Sequence, residues 1–240
     1  RDDKFFKYLY KKSKLKKLKI VTFGKNKKSD IFPLKIIKNK DLVKIFVKIK
    51  NKKLNLETKN INIYNVLASL AVIKELNLNI NNIKKIFKKF EPTEGRGKIH
   101  RISRYNKNFR LIDESYNANP LSVKNAISNF NSIKKEKFKK YLILGDMLEL
   151  GYKSEKYHKD LSKVINNSNI DKVFIKGEKT LFTYKNLHKS KQGNILQNKS
   201  DIDLILKNII KNNDYLMIKG SNATGLNILS KKMIRGLNVI

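Results

Sequence analysis

The residues best suited to chemistry form one short segment, 114–120, directly after an apolar run at 109–113. Two adjacent carboxylates stand where the run meets the segment, and a hydroxyl, a phenol and two amides follow. These polar side chains belong to Asp113, Glu114, Ser115, Tyr116, Asn117 and Asn119. A helix N-cap could account for Asn119 and a turn for Asp113. The whole set exceeds what a turn requires, and it suits a sugar hydroxyl, a metal-bound water or a peptide ligand.

Two other segments resemble phosphate-binding loops but depart from the pattern. Residues 145–154 end in Lys-Ser, yet their glycines are one residue too far apart, and two acidic residues inside the loop would repel a phosphate. Residues 220–225 have the expected glycine spacing, but Leu226 and Asn227 replace the Lys-Ser/Thr pair. A helix N-terminus there could hold an anion, and an ordinary strand-to-helix turn explains the segment equally well.

The three histidines are isolated, and none has a metal-ligand spacing. His100 alternates within a predicted strand, and His188 is expected on the surface. His158 follows the 145–151 segment on a predicted helix, which leaves a role at the ligand site open to it. There is no Cys, so disulfides and thiolate metal sites are excluded.

A scaffold for these segments is predicted from residue 98 onward, where apolar runs alternate with helical stretches. The predicted strands are 98–105, 109–113, 141–144, 172–175 and 215–218, and the predicted helices lie near 121–134, 154–167, 178–188, 201–211 and 222–236. This order predicts an α/β fold with a doubly wound sheet, whose parallel strands are covered on both faces. Ligands bind beyond the carboxyl ends of such strands, where 114–120, 145–151 and 220–225 stand.

The first part of the chain has a different pattern. Residues 1–60 are predicted to be a strand region, with runs at 18–24, 42–49 and 54–57. Helical spacing follows from Tyr64, and a second helix is predicted over 80–90. A proline and two glycines at 91–97 break the pattern. We therefore predict two domains, 1–93 and 94–240.

The charge is strongly basic, with 55 Lys and Arg against 20 Asp and Glu and a formal net charge of +35. Only six of these are Arg, and the lysines are spread along the whole chain. Lys, Asn and Ile share A/T-rich codons, so base composition explains the charge without a nucleic-acid ligand. No apolar run approaches the ~20 residues that cross a bilayer. No secretory signal is visible, and a cytoplasmic location is expected.

Several segments together resemble the Mur ligases, ATP-dependent enzymes of peptidoglycan synthesis. Residues 113–120 (Asp-Glu-Ser-Tyr-Asn-Ala-Asn-Pro), 144–151 (Leu-Gly-Asp-Met-Leu-Glu-Leu-Gly) and 219–221 (Lys-Gly-Ser) resemble the third domain of the family. Residues 62–68 are similar to the helix that closes its ATPase domain, and 94–96 (Glu-Gly-Arg) look like its interdomain Gly-Arg. The first two segments are the most specific, and they resemble the branch that adds D-alanyl-D-alanine.

The resemblance implies an architecture and a reaction. Residues 1–93 would be the C-terminal part of a central ATP-binding domain, and 94–240 a Rossmann-like domain that closes over it. ATP with Mg²⁺ would phosphorylate the terminal carboxylate of UDP-MurNAc-tripeptide. The amine of D-alanyl-D-alanine would attack this acyl phosphate, and phosphate would leave. The enzyme is expected to be a cytoplasmic monomer without a specific nucleic-acid partner.

The resemblance also implies binding residues. Asn62 and Asn65 would lie by the adenine, Arg96 would reach the nucleotide phosphates, and Glu114 would hold the ribose or nucleotide. The residues implied for the D-alanyl-D-alanine side are Tyr116, Asn117, Asn119, Lys219 and Ser221.

Some positions match the family's pattern without an implied chemical role. They are Asp146, Glu149 and His158. The family's Gly-x-x-Gly-Lys-Thr loop, magnesium-binding Glu, modified Lys and uridine-nucleotide domain are not found in the 240 residues. They would precede Arg1, so this piece is expected to hold no metal site and not to turn over ATP alone.

Two alternatives stay open. Another Mur-type or folylpolyglutamate-type ligase would share the architecture and reaction, and a competition assay between D-alanyl-D-alanine and single amino acids would separate them. A basic nucleic-acid-binding module would show an affinity that falls steeply with salt.

Overall fold

The computed structural model describes residues 1–38, 42–58, 62–134, 137–198 and 200–236. It divides into two compact units, Arg1–Pro92 and Thr93–Ile240. Each unit has its own hydrophobic core and is described by itself. Among the described residues, none of the helices combines the length and the apolar character needed to cross a bilayer.

The first unit is an antiparallel sheet packed against helices. In chain order its elements are α1 (Phe6–Leu15), β1 (Ile31–Lys38), β2 (Val43–Ile49), β3 (Lys52–Thr58), α2 (Ile63–Glu75) and α3 (Ile80–Lys89). The strands lie in the order β1-β2-β3. Every second residue of β2 is buried, as period-two alternation requires, and Ile45 and Val47 pack in one core with Leu67 of α2.

The predicted strand at 18–24 was wrong. Only Phe23 forms an isolated bridge, with Ile31. The backbone N–H and the hydroxyl of Thr22 both donate to the Asp30 carboxylate, at 2.8 and 2.6 Å. The Asp30 side chain therefore takes the Thr22 backbone N–H, which a neighbouring strand would otherwise have bonded.

Two elements of this unit were not predicted. Strand β1 contains Pro33, and a proline within an apolar run argues against a strand. The structure accommodates Pro33 because β1 is an edge strand and its pairing with β2 shifts register between Pro33 and Lys35. Helix α1 lies in the region predicted as strands. Phe6 and Tyr10 are one turn apart in α1 and their rings are 5.4 Å apart, a helical contact that the many surrounding lysines concealed.

The second unit is built on a mixed six-stranded sheet. Its strands are β4 (Lys98–Arg104), β5 (Lys107–Glu114), β6 (Lys140–Gly145), β7 (Lys172–Lys176), β8 (Gln192–Ile195) and β9 (Tyr215–Lys219). Its helices are α4 (Pro120–Ser132), α5 (Ser154–Asn166), α6 (Thr180–Tyr184), α7 (Ser200–Asn208) and α8 (Leu226–Ile234). The strand order is β4-β5-β9-β6-β7-β8, and only β4 pairs antiparallel to its neighbour.

Helices cover both faces of this sheet. Leu142 of β6 packs in one core with residues of α4 and α5, and Ile143 packs in the other core with residues of α7 and α8. Successive residues of a buried strand thus face opposite helix layers. The predicted doubly wound α/β fold is confirmed. Strand β8 was not predicted because its sequence, Gln-Gly-Asn-Ile, is mostly polar and lies at the sheet edge.

Candidate functional site

The candidate site lies in the second unit, where three adjacent parallel strands end. Strand β9 pairs with β5 on one side and with β6 on the other. The segments 114–120, 145–151 and 220–225 follow these strands directly. Since carboxyl ends of parallel strands meet at one edge, the three segments lie together there, as expected from the sequence. We call this the ligand edge.

Asp113 is almost completely buried at the end of β5 and joins two backbone segments. Its carboxylate accepts hydrogen bonds from the Gly95 backbone N–H at 2.8 Å and from the Ser115 hydroxyl at 2.6 Å. It also accepts one from the Ser115 backbone N–H at 3.2 Å. Asp113 therefore holds the segment around Gly95 against the start of 114–120.

Glu114 and Lys219 stand side by side in the β5–β9 pairing, with Oε2 and Nζ 3.7 Å apart. Lys219 is 2% exposed and also donates to the carbonyl oxygens of Glu114, at 3.2 Å, and of Asn117. Burial raises the pKa of the Glu114 carboxyl, and the Lys219 ammonium offsets part of this effect. Burial likewise lowers the pKa of Lys219 against the attraction of Glu114. The Lys219 ammonium therefore supports the backbone of the 114–120 segment.

Arg96 is exposed and stacks on Tyr116. Its guanidinium carbon lies 4.4 Å from the centre of the Tyr116 ring, and this ring is 51% exposed. Gly95 permits the close approach, because its φ is +75° and an added Cβ would lie 2.7 Å from the Cβ of Tyr116. The arrangement places a planar cation at the same edge as Glu114.

Both amide side chains of the segment bond to nearby backbone. Asn119 caps α4: it accepts from the Ser122 backbone N–H at 2.8 Å, and Ser122 Oγ accepts from the Asn119 N–H at 3.0 Å. Asn117 Oδ1 accepts from the Ala118 N–H at 2.7 Å. Both residues are exposed. Asn119 is thus the N-cap of α4, as the simpler explanation from the sequence proposed.

Ser221 connects the two most specific segments of the sequence. Its hydroxyl donates to the Ala118 carbonyl at 3.3 Å and accepts from the Leu148 backbone N–H at 3.0 Å. Its own N–H donates to the Asp146 carbonyl at 3.0 Å. The segment after β9 therefore fastens the loops that follow β5 and β6 to each other.

Asp146 and His158, for which the sequence implied no role, both shape the loop after β6. The Asp146 carboxylate accepts from the Thr180 backbone N–H at 2.8 Å, at the start of α6. His158 is fully buried, and its Nε2 accepts from the Met147 N–H at 3.0 Å. Neither contact has a signature in sequence spacing, because each joins a loop to a separate helix.

Asn62 and Asn65 lie in the first unit, at the start of α2. Asn62 is the N-cap of this helix and accepts from the Tyr64 backbone N–H at 3.1 Å. Asn65 lies in the first helical turn, and both side chains are exposed. They stand one turn apart, as the sequence spacing requires.

The donor set of the ligand edge suits part of a nucleotide. An exposed guanidinium fits phosphate oxygens, and a carboxylate fits sugar hydroxyls. In the part of the chain that the structure describes, no three His, Asp or Glu side chains stand close enough together to hold a metal ion.

The chain is similar to known proteins over most of its length. A UDP-N-acetylmuramoyl-tripeptide--D-alanyl-D-alanine ligase of Buchnera aphidicola subsp. Baizongia pistaciae is 28% identical over 222 residues, covering 90% of this chain and 46% of the relative. The enzyme of that name from Rickettsia prowazekii is 29% identical over 162 residues, covering 68% of this chain and 35% of the relative. The chain thus spans less than half the length of these curated relatives.

Solved structures share the fold. MurF from Acinetobacter baumannii superposes with a TM-score of 0.80 at 20% identity, covering 98% of this chain and 50% of that one. MurF ligase from Thermotoga maritima in complex with ADP gives 0.76 at 18% identity, covering 97% and 53%. The family model "Mur ligase, glutamate ligase domain" matches residues 97–222, which is more than half of the chain and includes the segments 114–120 and 145–151 of the ligand edge. The chain belongs to the Mur ligase family.

Proposed function

We propose that this chain is part of an ATP-dependent ligase of peptidoglycan synthesis that adds D-alanyl-D-alanine to UDP-MurNAc-tripeptide. The observation that carries the proposal is the Ser221 hydroxyl, which bonds to Leu148 in one characteristic segment and to Ala118 in the other. Two curated relatives that cover 90% and 68% of the chain carry the name of this activity. One ligand edge therefore unites the features that distinguish this branch.

The proposed reaction forms one amide bond at the expense of ATP. The terminal carboxylate of the tripeptide takes the γ-phosphoryl group and becomes an acyl phosphate, with ADP released. The dipeptide amine attacks the acyl carbon, a C–N bond forms, the C–O bond to phosphate breaks, and the nitrogen loses a proton. The tetrahedral intermediate carries negative charge, which fixed positive groups stabilise. Exclusion of water protects the acyl phosphate from hydrolysis.

Four residues are proposed to bind the nucleotide. Asn62 and Asn65 bind the adenine, since an amide both donates and accepts. Arg96 binds phosphate oxygens with the planar face of its guanidinium held on Tyr116. Glu114 accepts hydrogen bonds from the ribose.

The dipeptide roles go to the ligand edge. Tyr116, Asn117 and Asn119 are exposed there and line the acceptor site. Lys219 and Ser221 stand beneath the same segment, bonded to its backbone carbonyls, and set its position toward the dipeptide.

ATP turnover needs groups that these 240 residues do not contain. The sequence has no Gly-x-x-Gly-Lys-Thr loop. A phosphate cradle and Mg²⁺ are needed to offset the charge of the transferred phosphoryl group. We propose that the 240-residue chain alone does not turn over ATP. ATP and UDP-MurNAc-tripeptide are cytoplasmic compounds, so the reaction is proposed to take place in the cytoplasm.

The test is a ligase assay on the complete product of the gene that encodes this chain. With ATP, Mg²⁺ and UDP-MurNAc-tripeptide, D-alanyl-D-alanine should give ADP, phosphate and the UDP-linked pentapeptide, as measured by mass spectrometry. Single amino acids, tested in parallel at equal concentration, should give no product. Product with a single amino acid and none with the dipeptide would replace the proposal with another Mur-type or folylpolyglutamate-type activity. Phosphate release by the 240-residue chain alone would contradict the proposed inactivity.

A further inference from the structure

The tautomer of His158 is fixed by its surroundings. The side chain is fully buried on α5, Nε2 lies 3.0 Å from the Met147 backbone nitrogen, and Nδ1 lies 2.8 Å from the Ser154 carbonyl oxygen. A backbone N–H can only donate and a carbonyl can only accept. Nε2 must therefore lack a hydrogen and Nδ1 must carry one. The contacts require a neutral imidazole in the Nδ1–H form.

Protonation of this ring would break the contact with the loop. An imidazolium carries a hydrogen on both nitrogens, and its Nε2–H would point at the Met147 N–H. Burial lowers the pKa of His158, and the Lys179 ammonium acts in the same direction. The hydrogen bond to Ser154 and the Asp146 carboxylate act against them, but the pKa stays below the ordinary 6.5. The hydrogen-bond geometry and the lowered pKa thus both favour the neutral ring.

The backbone that His158 holds belongs to the loop 145–151. The Met147 N–H bonds to His158, and the next N–H, of Leu148, bonds to the Ser221 hydroxyl at 3.0 Å. Beyond these two fixed amides the chain turns through Glu149 at a φ of +61°, which is unfavourable for a residue with a Cβ. Leu148 and Glu149 form the exposed tip of the loop. The conformation of the tip thus depends on the hydrogen bonds made by the Met147 and Leu148 amides.

We propose that His158 is a positioning residue of the ligand edge: as a neutral imidazole it holds the Met147 amide, so that Leu148 and Glu149 face the incoming dipeptide. The identity of that ligand rests on the proposed function, whereas the contact of His158 with the loop does not. Ser221 bonds to this loop and to Ala118, so a displaced Met147 also shifts the 114–120 segment. His158 itself touches no substrate.

Two variants in the complete gene product separate this role from mere packing. His158→Leu fills the buried site with an apolar side chain that has no acceptor, and His158→Gln keeps an acceptor near Nε2 that cannot be protonated. For His158→Leu, kcat/KM for D-alanyl-D-alanine should fall on the order of 100-fold, as expected for a misplaced acceptor site, with KM for ATP unchanged. His158→Gln should keep most of the activity. An equal loss of kcat/KM for D-alanyl-D-alanine and for ATP would overturn the proposal. An equal loss in His158→Leu and His158→Gln would overturn it as well.

The pH profile gives a second readout. In the native enzyme, kcat/KM for the dipeptide should decline as the pH falls through the lowered pKa of His158, because the neutral ring is then lost. His158→Gln should lack this acidic decline. An identical decline in both proteins would show that His158 does not cause it, and this would contradict the proposal.

A third readout needs no substrate and uses the 240-residue chain. Nitrogen-15 NMR of the imidazole should show the Nδ1–H tautomer for His158. The Met147 amide should exchange with solvent roughly fivefold faster or more in His158→Leu, because one hydrogen bond is lost, and stay protected in His158→Gln. His188→Leu, at an exposed position, is the control and should change neither. An Nε2–H tautomer, or unaltered exchange in His158→Leu, would overturn the role of His158. Lack of ligase activity with every acceptor would instead overturn the proposed function.

Discussion

Lys219 Nζ and Glu114 Oε2 lie 3.7 Å apart at the ends of two adjacent parallel strands, and the same ammonium donates to the carbonyl oxygens of Glu114 and Asn117. The cation is buried, yet it supports a segment in which Tyr116, Asn117 and Asn119 are exposed. The pair therefore combines a structural contact with the proposed ligand binding, and substitutions can separate the two contributions.

Lys219→Met should destabilise the second unit by about 3 kcal/mol, because it leaves the Glu114 carboxylate and two carbonyls without their cation. Glu114→Gln should cost about 1 kcal/mol, since the lysine keeps its carbonyl partners. Urea unfolding of both single variants and of the double variant measures the coupling. We expect the double variant to lose less than the sum of the two. Additivity within about 0.5 kcal/mol would show that the pair is not coupled.

Gly95→Ala should destabilise the chain by about 3 kcal/mol, from a left-handed backbone and a steric clash together. The added Cβ would lie 2.7 Å from the Cβ of Tyr116, while the φ of +75° is unfavourable in itself. Gly151→Ala is the matched control. Its φ is +57° but nothing lies within 4 Å, so only the backbone cost of about 1 kcal/mol is expected. Equal losses by thermal unfolding would refute a steric role for Tyr116.

Arg96→Ala in the complete gene product should raise KM for ATP roughly ten- to hundredfold, as expected for the loss of charged hydrogen bonds to phosphate. Because Arg96 is exposed, the unfolding midpoint should change little. Arg96→Lys should be intermediate, since it keeps the charge and loses the stacked plane. Arg101→Ala, an exposed arginine on β4, is the control and should leave KM for ATP unchanged. Wild-type KM for ATP in Arg96→Ala would remove Arg96 from the nucleotide site.

Lys140→Met should cost about 3 kcal/mol, because carbonyls at the end of α4 would be buried without a donor. The fully buried Nζ donates to the carbonyl oxygens of Phe130 at 2.8 Å and Ile133 at 2.5 Å, and to Asn169 Oδ1 at 2.9 Å. Lys139→Met, one residue earlier and exposed, should stay within about 0.5 kcal/mol of the native chain. Guanidinium unfolding of the two variants gives the comparison. Similar values for both would mean that Lys140 is not a structural cation.

Local patterns were enough to predict parallel strands β5, β6, β7 and β9 and the ligand edge. Strands β6 and β9 are apolar runs between polar helices, and such runs predict burial on both faces. The polar segment after β5 was likewise visible as a cluster. The strand order, which places β9 between β5 and β6, was not predicted and comes from the structure.

Long-range polar contacts could not be predicted in this way. The bond from Lys219 to the Asn117 carbonyl spans 102 positions, and the bond from Met147 to His158 depends on the packing of α5 against a loop. Neither leaves a periodic trace, because only one member of each pair contributes a side chain. Strand β8 and helix α1 were missed for another reason, since β8 is mostly polar and the lysines of α1 concealed its Phe6–Tyr10 contact.

The central place of β9 has a consequence for biosynthesis. On the ribosome, residues 113–120 and 144–151 emerge long before 215–221, yet they meet only across the strand that the latter residues complete. A nascent or prematurely terminated polypeptide ending near Asn212 would carry both hallmark segments but no assembled ligand edge. Assembly of the ligand edge therefore waits until translation of this strand is finished.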